Sequence, residues 1–364
     1  MGGVFELRPA IKEMEHKHIA AFICLFLCAA ALASCNRRER EEYGYYSASS
    51  LEYFDTVTAV SGYCESEDAF NERNGSIMEL LSEYHRLYDI YFEYSGINNL
   101  KTVNDMAGIA PVQVDDRIID LLEYSKEVYA LTGGKSNIAM GSVLSLWHSA
   151  REYGIENPEE AYLPEDAALR AAAEHTDIDC LIIDREKKTV YLSDPEMSLD
   201  VGAVAKGYAA EEVADYCEEH GFYHMAVSIG GNVRTVGSKP GGEDWTVGVQ
   251  DPGMREAFPY FCRIQMSGMS LVTSGSYQRY YTVNGEKYHH IIDPDTLYPG
   301  DGFVSVSLLC RSSAMGDALS TALFNMSAAD GMELVNSLDG VEALWIYPDM
   351  TSVTSSGFDV CQYG

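Results

Sequence analysis

Apolar residues recur at helical spacing in several long segments of the chain. The clearest is 115–131, where apolar positions three and four residues apart stop before Gly133 and Gly134, as is typical of a helix end. A shorter, alanine-rich segment follows at 164–175. Helices are therefore predicted over 66–94, 115–131, 164–175, 199–221, 313–326 and 328–338.

Between these helices, short segments alternate apolar and polar residues, as half-buried strands do. The segment 180–192 has the pattern of a hairpin, and Asn284 and Gly285 supply a tight turn within 279–291. Because strands cluster in the central and C-terminal part between flanking helices, the predicted fold class is α+β (mixed α/β), not a doubly wound parallel sheet. Further strands are predicted over 54–60, 224–229, 245–251, 260–266, 270–275 and 342–347.

The N-terminal region has the pattern of an exported lipoprotein. An apolar run of about 15 residues at 19–33 suits a signal-peptide core and is short for a membrane-spanning helix. Small residues precede Cys35, as in the bacterial lipobox. We predict a lipoprotein signal peptide over 1–35, a polar tether over 36–50 and a domain over 51–364, in one body or two lobes. A lipid on Cys35 would anchor the domain at the outer face of the bacterial cytoplasmic membrane.

Composition disfavours two classes of site. With 56 acidic and 25 basic residues the formal net charge is -31, and no basic stripe follows the chain. Nucleic acid is therefore not expected as a partner. The chain has nine cysteines, and those after the leader show no C-x-x-C spacing. Because Cys180, Cys262 and Cys310 lie in apolar runs, buried thiols are expected rather than a disulfide framework or a zinc site.

The segment 133–136, GGKS, resembles the end of a phosphate-binding P-loop. That motif needs a glycine where this chain has Tyr129, and no strand is predicted before it. An NTPase is therefore disfavoured. His175, His289 and His290 likewise lack the HExxH or CxxC neighbours of common zinc sites.

The segment 199–221 has an unusual order of charges for a helix. Lys206 lies in the first predicted turns and five acidic residues follow it, opposite to the order that the helix dipole favours. Glycine and alanine dominate the first turns. Two interpretations stay open. Either the helix N-terminus binds a phosphate with Lys206 adding charge, or a small-residue helix packs tightly on a sheet and Lys206 extends toward solvent.

A candidate metal site lies in the helix predicted over 313–326. Asp317 and Thr321 are four residues apart, so a carboxylate and a hydroxyl project from one helix face. A few hard oxygen ligands that leave room for water and phosphate oxygens suit Mg²⁺ better than zinc or calcium. An aspartate near a helix start is also a common cap, so the pair alone leaves both readings open.

Polar turns end several predicted strands, where ligand-binding loops are common. In chain order they are SIGGN at 228–232, QDP at 250–252, TSGSYQR at 273–279 and HIIDP at 290–294. Together with DVGAVAKGY before them and GDALSTALF after them, this series resembles the ApbE family of FAD:protein FMN transferases. The resemblance extends from residue 54 to the last predicted strand, and the lipobox agrees with it.

The resemblance implies an ApbE-like fold and a transferase that uses FAD and Mg²⁺. Such an enzyme attaches FMN through a phosphoester to a threonine or serine of an extracytoplasmic protein and releases AMP. The implied acceptor is an exported electron-transfer subunit with a [Ser/Thr]-Gly-Ala-[Thr/Ser]-like motif. Two alternatives stay open: a Mg²⁺-dependent FAD pyrophosphatase, and a flavin-binding lipoprotein without chemistry, which the presence of Asp317 and His290 disfavours.

The resemblance also implies roles for individual residues. His290 would be the base that takes the proton from the acceptor hydroxyl, and Asp293 would orient the site. Mg²⁺ would be held by Asp317, Thr321 and the backbone carbonyl of Ala203. The FAD site would include Asn137, Met140, Lys206, Gly230, Gly231, Asn232, Gln250, Asp251, Ser274 and Tyr277.

The chain departs from the family pattern at a few positions. Ser136 and Asn137 replace a common Phe-Asp pair, and Leu297 stands where the family often has glycine. FDTV at 54–57 replaces Met-Gly-Thr. These departures concern flavin contacts more than the metal site or His290, so they bear on FAD affinity more than on the type of reaction.

Overall fold

The computed structural model describes residues 43–255, 259–358 and 362–363. The predicted signal peptide and the lipidation site at Cys35 lie outside the described residues. Within those ranges, no helix combines the length and the apolar character needed to cross a bilayer.

Helices flank a strand-rich central and C-terminal part. The α-helices of the described chain are α1 (Glu67–Tyr88), α2 (Leu100–Asp105), α3 (Asp116–Leu131), α4 (Gly141–Glu156), α5 (Asp166–Ala173), α6 (Ala205–Glu219), α7 (Ser313–Phe324) and α8 (Ala328–Asn336). Its strands are β1 (Gly44–Ser50), β2 (Thr58–Cys64), β3 (Val112–Gln113), β4 (Leu181–Asp184), β5 (Thr189–Leu192), β6 (Met225–Ile229), β7 (Asn232–Val236), β8 (Trp245–Gln250), β9 (Tyr260–Met266), β10 (Ser270–Gly275), β11 (Tyr280–Val283), β12 (Glu286–His289), β13 (Ser305–Cys310), β14 (Glu342–Ile346), β15 (Ser352–Thr354) and β16 (Gln362–Tyr363).

The main sheet has eight strands in the order β1-β2-β6-β7-β10-β13-β14-β15, and all of its neighbours are antiparallel. Three smaller antiparallel sheets have the orders β16-β9-β8, β3-β5-β4 and β11-β12. Every residue of β6 and β13 is buried, including Ser228 in β6 and Ser305 and Ser307 in β13. The antiparallel main sheet confirms the α+β prediction.

The predicted tether over 36–50 is wrong for its last part. Strand β1 pairs with β2 along its whole length, from Gly44 opposite Cys64 to Ser50 opposite Thr58. The Tyr46 ring stacks on Phe70 of α1, with ring centroids 5.7 Å apart. Tyrosine, serine and alanine alternate across a half-buried edge strand here, and this composition resembles that of a polar linker.

Two predicted boundaries in the same region also moved. The strand predicted over 54–60 begins at Thr58, because Phe54 and Asp55 both adopt left-handed φ angles, 54° and 48°. Helix α1 ends at Tyr88, since the Asp89 carboxylate accepts the next two free N–H groups, 2.7 and 3.1 Å away, and turns the chain.

Buried thiols were predicted for Cys180, Cys262 and Cys310, and the prediction is confirmed for Cys262 and Cys310. Cys64, Cys217 and Cys310 are buried and carry free thiols, and Cys180 is half-buried. Across the described residues, no group of three or more histidine, cysteine or acidic side chains is arranged to hold a metal ion. The expectation that zinc is not bound by the thiols stays a prediction.

Candidate active site

One cavity brings together ten of the residues that the sequence singled out. Its wall is formed by α4, the turn before α6, the β6–β7 turn, the end of β10, the segment after β12, and α7. Residues predicted to bind flavin, metal or the reacting hydroxyl therefore share one space. The ten are Asn137, Met140, Ala203, Lys206, Gly230, Asn232, Ser274, His290, Asp317 and Thr321.

At one end of this cavity, α6 and α7 are in backbone contact. A Cβ on Gly207 of α6 would lie 2.3 Å from both the Asp317 Cβ and the Ser313 carbonyl oxygen. Asp317 is 3% exposed, and its Oδ2 accepts the Gly207 N–H at 2.8 Å. The small residues of α6 therefore serve close packing, against α7 at Gly207 and, as predicted, against the sheet at β6 and β7.

The position of Lys206 resolves the unusual charge order. Its Nζ donates to the Gly202 carbonyl at 2.7 Å and lies 3.6 Å from Asp317 Oδ1. The lysine thus faces the carboxylate of the next helix across the cavity and does not extend to solvent. The first-turn Gly207 N–H is occupied by Asp317, so the idea of a bare helix N-terminus as the phosphate site needs correction.

The oxygen atoms around Asp317 form a set that could hold a small hard cation. Thr321 lies one helical turn after Asp317, and Ala203 lies in the turn that precedes α6. Ser274 Oγ lies 3.4 Å from Thr321 Oγ1 and 2.8 Å from Ser320 Oγ. One carboxylate, hydroxyls and a carbonyl fit Mg²⁺ that shares its coordination with ligand phosphates. They fit zinc poorly.

His290 follows β12 and is held as a neutral base. Its Nδ1 lies 3.3 Å from the Arg279 carbonyl oxygen. Because a carbonyl only accepts, Nδ1 carries the proton, and Nε2 keeps its lone pair. Burial in the cavity wall, together with the charges of Arg279 and Arg151, lowers the pKa of His290 to about 3. The imidazole is therefore uncharged at neutral pH, with a lone pair on Nε2, and the same low pKa makes it a weaker base than an ordinary histidine.

His289, the neighbouring histidine, has no free ring nitrogen. Its Nε2 donates to the Gly300 carbonyl at 2.7 Å, and its Nδ1 accepts the Ile291 N–H at 3.2 Å. Burial lowers the pKa of His289, so it too is neutral. Of the two histidines, His290 has the nitrogen that is available for chemistry.

Two arginines add positive charge to the cavity: Arg151, which the sequence analysis did not single out, and Arg279 of the TSGSYQR turn. Arg151 of α4 contacts the His148 ring, with Nη2 and Nδ1 2.9 Å apart. Arg279 donates from Nη2 to the Asp55 carbonyl at 2.8 Å. Because these partners carry no formal negative charge, the cavity of an otherwise acidic protein attracts an anion.

Lys135, from the segment set aside as a false P-loop, also lines the cavity. Its Nζ lies 2.7 Å from Asp293 Oδ1 and 2.9 Å from Asp295 Oδ2. Asp293 itself does not line the cavity, and no described hydrogen bond joins it to His290. Its observed contact fixes Lys135 in the wall, and the orienting role of Asp293 stays a prediction.

Asn232 and Asn137 both line the cavity but use their amides differently. The side chain of Asn232 is 2% exposed, and its Nδ2 has no partner among the described residues. A buried amide donor without a partner at a cavity wall suits a ligand acceptor. The Asn137 amide instead donates to Thr176 O at 3.0 Å and accepts the Ala139 N–H at 2.9 Å, so it shapes its own loop.

Two predicted flavin residues near β8 face away from the cavity. Asp251 is fully buried and accepts hydrogen bonds at 2.8 and 3.0 Å from Arg255, within its own turn. Gln250 accepts the Gln278 Nε2–H group at 2.7 Å. Gln278 lines the cavity, so Gln250 reaches the site only through this second side chain.

Gly231 and Tyr277 also fall outside the cavity, for reasons of local geometry. Gly230 and Gly231 form the two-residue turn between β6 and β7 with φ of 61° and 95°, and only Gly230 faces inward. The Tyr277 ring packs under Gly275, where an added Cβ would be 2.4 Å from its Cε1. That side chain therefore supports the β10 end rather than entering the site.

Two aromatic side chains form part of the cavity wall. Trp147 of α4 stacks on Tyr288, with ring centroids 6.2 Å apart and an interplanar angle of 23°. The Trp147 Nε1–H donates to the Leu297 carbonyl at 2.9 Å. Leu297 has φ of 64°, a left-handed conformation that favours glycine, which accounts for the glycine common at this family position.

With this geometry in place, comparisons with known proteins identify the family. The model of the ApbE family matches residues 54–345. The FAD:protein FMN transferase of Treponema pallidum is 30% identical over 353 residues, which are 93% of this chain and 93% of that protein. This chain belongs to the ApbE family. An ApbE-family relative from Klebsiella pneumoniae, also named FAD:protein FMN transferase, is 29% identical over 281 residues, 77% of this chain and 84% of that protein.

Solved ApbE structures share the fold. The crystal structure of the ApbE protein of Thermotoga maritima aligns with a TM-score of 0.75 at 26% identity, covering 86% of this chain and 98% of that one. The flavin transferase ApbE from Vibrio cholerae aligns with a TM-score of 0.70 at 25% identity, covering 87% and 98%. The predicted family resemblance and the ApbE-like fold are confirmed.

Proposed function

We propose that this ApbE-family chain is a Mg²⁺-dependent transferase that moves FMN from FAD to a threonine or serine of an acceptor protein. The names of its relatives support flavin transfer to protein. The observation that carries the proposal is the joint placement of Asp317 and His290 in one cavity. A cation site for a diphosphate and a neutral base for a hydroxyl are what phosphoryl transfer to an alcohol requires.

In the proposed reaction one bond to phosphorus forms, one breaks, and a side chain of the cavity accepts the released proton. The acceptor hydroxyl oxygen forms a bond to the FMN phosphorus, and the bond from that phosphorus to the bridging diphosphate oxygen breaks. The hydroxyl proton passes to Nε2 of His290, and AMP leaves with the bridging oxygen. His290 is suited to this step because its Nδ1–H is already engaged by the Arg279 carbonyl.

Asp317, Thr321 and the carbonyl of Ala203 would hold Mg²⁺. When bound, the ion offsets the negative charge of the diphosphate and of the departing AMP. Lys206 contributes a second positive charge beside Asp317. Asn232 Nδ2 and the guanidinium groups of the cavity offer hydrogen bonds to the oxygens of the same ligand.

The wider setting of the reaction follows from the N-terminal sequence and the family resemblance. A signal peptide over 1–35 and a lipid on Cys35 would hold the domain at the outer face of the bacterial cytoplasmic membrane. The acceptor would then be an exported protein, an electron-transfer subunit with a [Ser/Thr]-Gly-Ala-[Thr/Ser]-like segment.

Product analysis with and without an acceptor tests the proposal. The purified chain is incubated with FAD, Mg²⁺ and an exported domain of the same genome that carries such a segment. We expect AMP release that depends on the acceptor and stops in excess EDTA, with little free FMN. Equal amounts of free FMN and AMP, formed at the same rate without any acceptor, would instead indicate a pyrophosphatase.

A further inference from the structure

A reciprocal pair of contacts joins α6 and α7 beside the proposed cation site. Asp317, on α7, accepts the Gly207 N–H of α6 at 2.8 Å. Glu211 lies one turn after Gly207 on α6, and its Oε2 accepts the backbone N–H of Ser313, the first residue of α7. Each helix therefore offers a carboxylate to a backbone N–H of the other.

The Glu211 contact supplies a cap that α7 does not provide for itself. The first N–H groups of a helix have no partner within the helix. Ser312 caps one of them, accepting the Met315 N–H at 3.1 Å. Glu211 takes the Ser313 N–H, so the two caps divide the first turn between a local side chain and a side chain from α6.

Arg234 of β7 lies beside Glu211 in this largely buried position. Burial raises the pKa of Glu211, and the charge of Arg234 opposes that rise. Arg234 is 6% exposed, and its Nη2 lies 3.9 Å from both Glu211 Oε1 and Glu218 Oε1. Its Nη1 donates to the Thr235 carbonyl at 3.0 Å, which ties the guanidinium to the main sheet.

We propose that Glu211 is a positioning residue for the cation site: by capping α7 it fixes where Asp317 stands against Gly207. Asp317 lies one helical turn after Ser313, so a shift of the α7 start moves its carboxylate by the same amount. With Oδ2 held by Gly207, Oδ1 stays free for the ion and for Lys206. This inference rests on the proposed function, because the ion belongs to that function.

Three variants separate positioning from general stability. Glu211→Ala removes the cap, and Glu211→Gln keeps an acceptor oxygen for the Ser313 N–H. Glu212→Ala is the matched control, since the neighbouring Glu212 carboxylate accepts the Tyr84 hydroxyl at 2.8 Å and does not contact α7 in any described hydrogen bond. All three changes remove a partly buried negative charge from the same helix.

The readouts are Mg²⁺ binding and amide exchange. Mg²⁺ is titrated calorimetrically into the FAD-loaded protein, and hydrogen exchange at the start of α7 is measured without FAD. We expect Glu211→Ala to weaken Mg²⁺ binding by about 10-fold or more, as loss of groups that orient metal ligands does, and to speed exchange of the Ser313 amide. Glu211→Gln should stay within about threefold of wild type, and Glu212→Ala should match wild type in both readouts.

Wild-type Mg²⁺ affinity together with wild-type Ser313 exchange in folded Glu211→Ala would overturn the proposal. Equal losses in Glu211→Ala and Glu212→Ala would do so as well, because they would show a general loss of stability. If Glu211→Ala does not fold, a Glu211→Gln protein with about 10-fold weaker Mg²⁺ binding contradicts the capping role. Absence of Mg²⁺ binding by the wild type would remove the cation site itself, whereas absence of protein modification alone would count only against the proposed function.

Discussion

The role proposed for His290 depends on the carbonyl group of Arg279. That carbonyl engages Nδ1 and leaves Nε2 as the basic atom. The sequence motif pointed to His290, but the tautomer depends on a residue eleven positions earlier that the β11–β12 hairpin brings close. The sequence therefore predicts the identity of the base and not the reason for its availability.

Replacement of His290 tests the base directly. His290→Ala should lower the rate of transfer to protein by about 10²–10⁴-fold, the usual contribution of a positioned base. FAD binding, measured by flavin fluorescence, should remain because the cations and Asn232 are unchanged. Transfer at the wild-type rate would show that another group accepts the proton.

The pH dependence of the reaction tests the charges around His290. Burial first, then Arg279 and Arg151, depress its pKa to about 3, so His290 is neutral from about pH 5 upward. A depressed pKa means that activity is kept above it and lost as the pH falls through it. Arg151→Gln should raise the pKa and move the acid limb of kcat/KM for FAD to higher pH.

The control for that experiment is Arg170→Gln. Arg170 is exposed on α5 and pairs with Asp166 at 2.7 Å, and it does not line the cavity. Its removal should leave the acid limb in place. Two results would contradict the effect assigned to the Arg151 charge on the pKa of His290. One is an acid limb of kcat/KM that moves to lower pH in Arg151→Gln, and the other is an acid limb that moves equally in both variants.

At the scale of elements, the contact between α6 and α7 explains much of the site. Sequence reasoning identified the small residues of α6 and the pair Asp317 and Thr321 separately. It could not show that Gly207 brings the two helices into backbone contact, because that depends on how two segments about 110 residues apart pack together. The lysine in the first turn of α6 is explained by the Asp317 carboxylate on the neighbouring α7.

Gly207→Ala should damage both stability and the site. The added Cβ would meet α7 at 2.3 Å, and overpacking of this kind costs about 1–3 kcal/mol. The temperature of thermal unfolding should fall, and Mg²⁺-dependent activity should fall with it.

The control is Gly75→Ala in the interior of α1, where a Cβ would meet no atom within 4 Å. This change should instead stabilise the protein by about 0.5–1 kcal/mol. Equal effects of the two changes would refute the packing argument.

Two of the elements that the sequence analysis did not predict, α4 and β13, have a physical cause in common. Helix α4 was not predicted because its His148 and Arg151 side chains turn toward the cavity, so its polar face is not a solvent face. Strand β13 was not predicted, and all six of its residues are buried, so the alternation of serine with Val306 and Leu308 does not mark a solvent face. The periodicity of apolar and polar residues reflects which face of an element contacts water. It is weaker where an element is buried on both sides or lines a ligand site.

At the scale of the whole molecule, the net charge and the local charge have opposite signs. The formal charge of -31 and the lack of a basic stripe in the sequence argue against a nucleic-acid partner. The same count conceals that Lys135, Arg151, Lys206 and Arg279 line one cavity. Composition is a property of the chain, whereas ligand attraction depends on which cations the fold brings together.

Strand β1 is an edge strand of the main sheet, and its removal measures how much it contributes to stability. Two chains, one beginning at residue 43 and one at residue 51, should differ in stability by about 2 kcal/mol, because the shorter one loses the Tyr46 ring packed on Phe70 and exposes the edge of β2. Thermal unfolding of both measures the difference. Identical unfolding temperatures would mean that β1 is an accessory strand.

Intact mass spectrometry of the acceptor is the most direct measurement of the central claim. An exported acceptor domain is incubated with FAD, Mg²⁺ and either the wild-type chain or His290→Ala. The wild type is expected to add the mass of FMN less one water to a single threonine or serine, with AMP released, and the variant to leave the acceptor unchanged while still binding FAD. An unmodified acceptor with the wild type, while FMN and AMP accumulate, would contradict it.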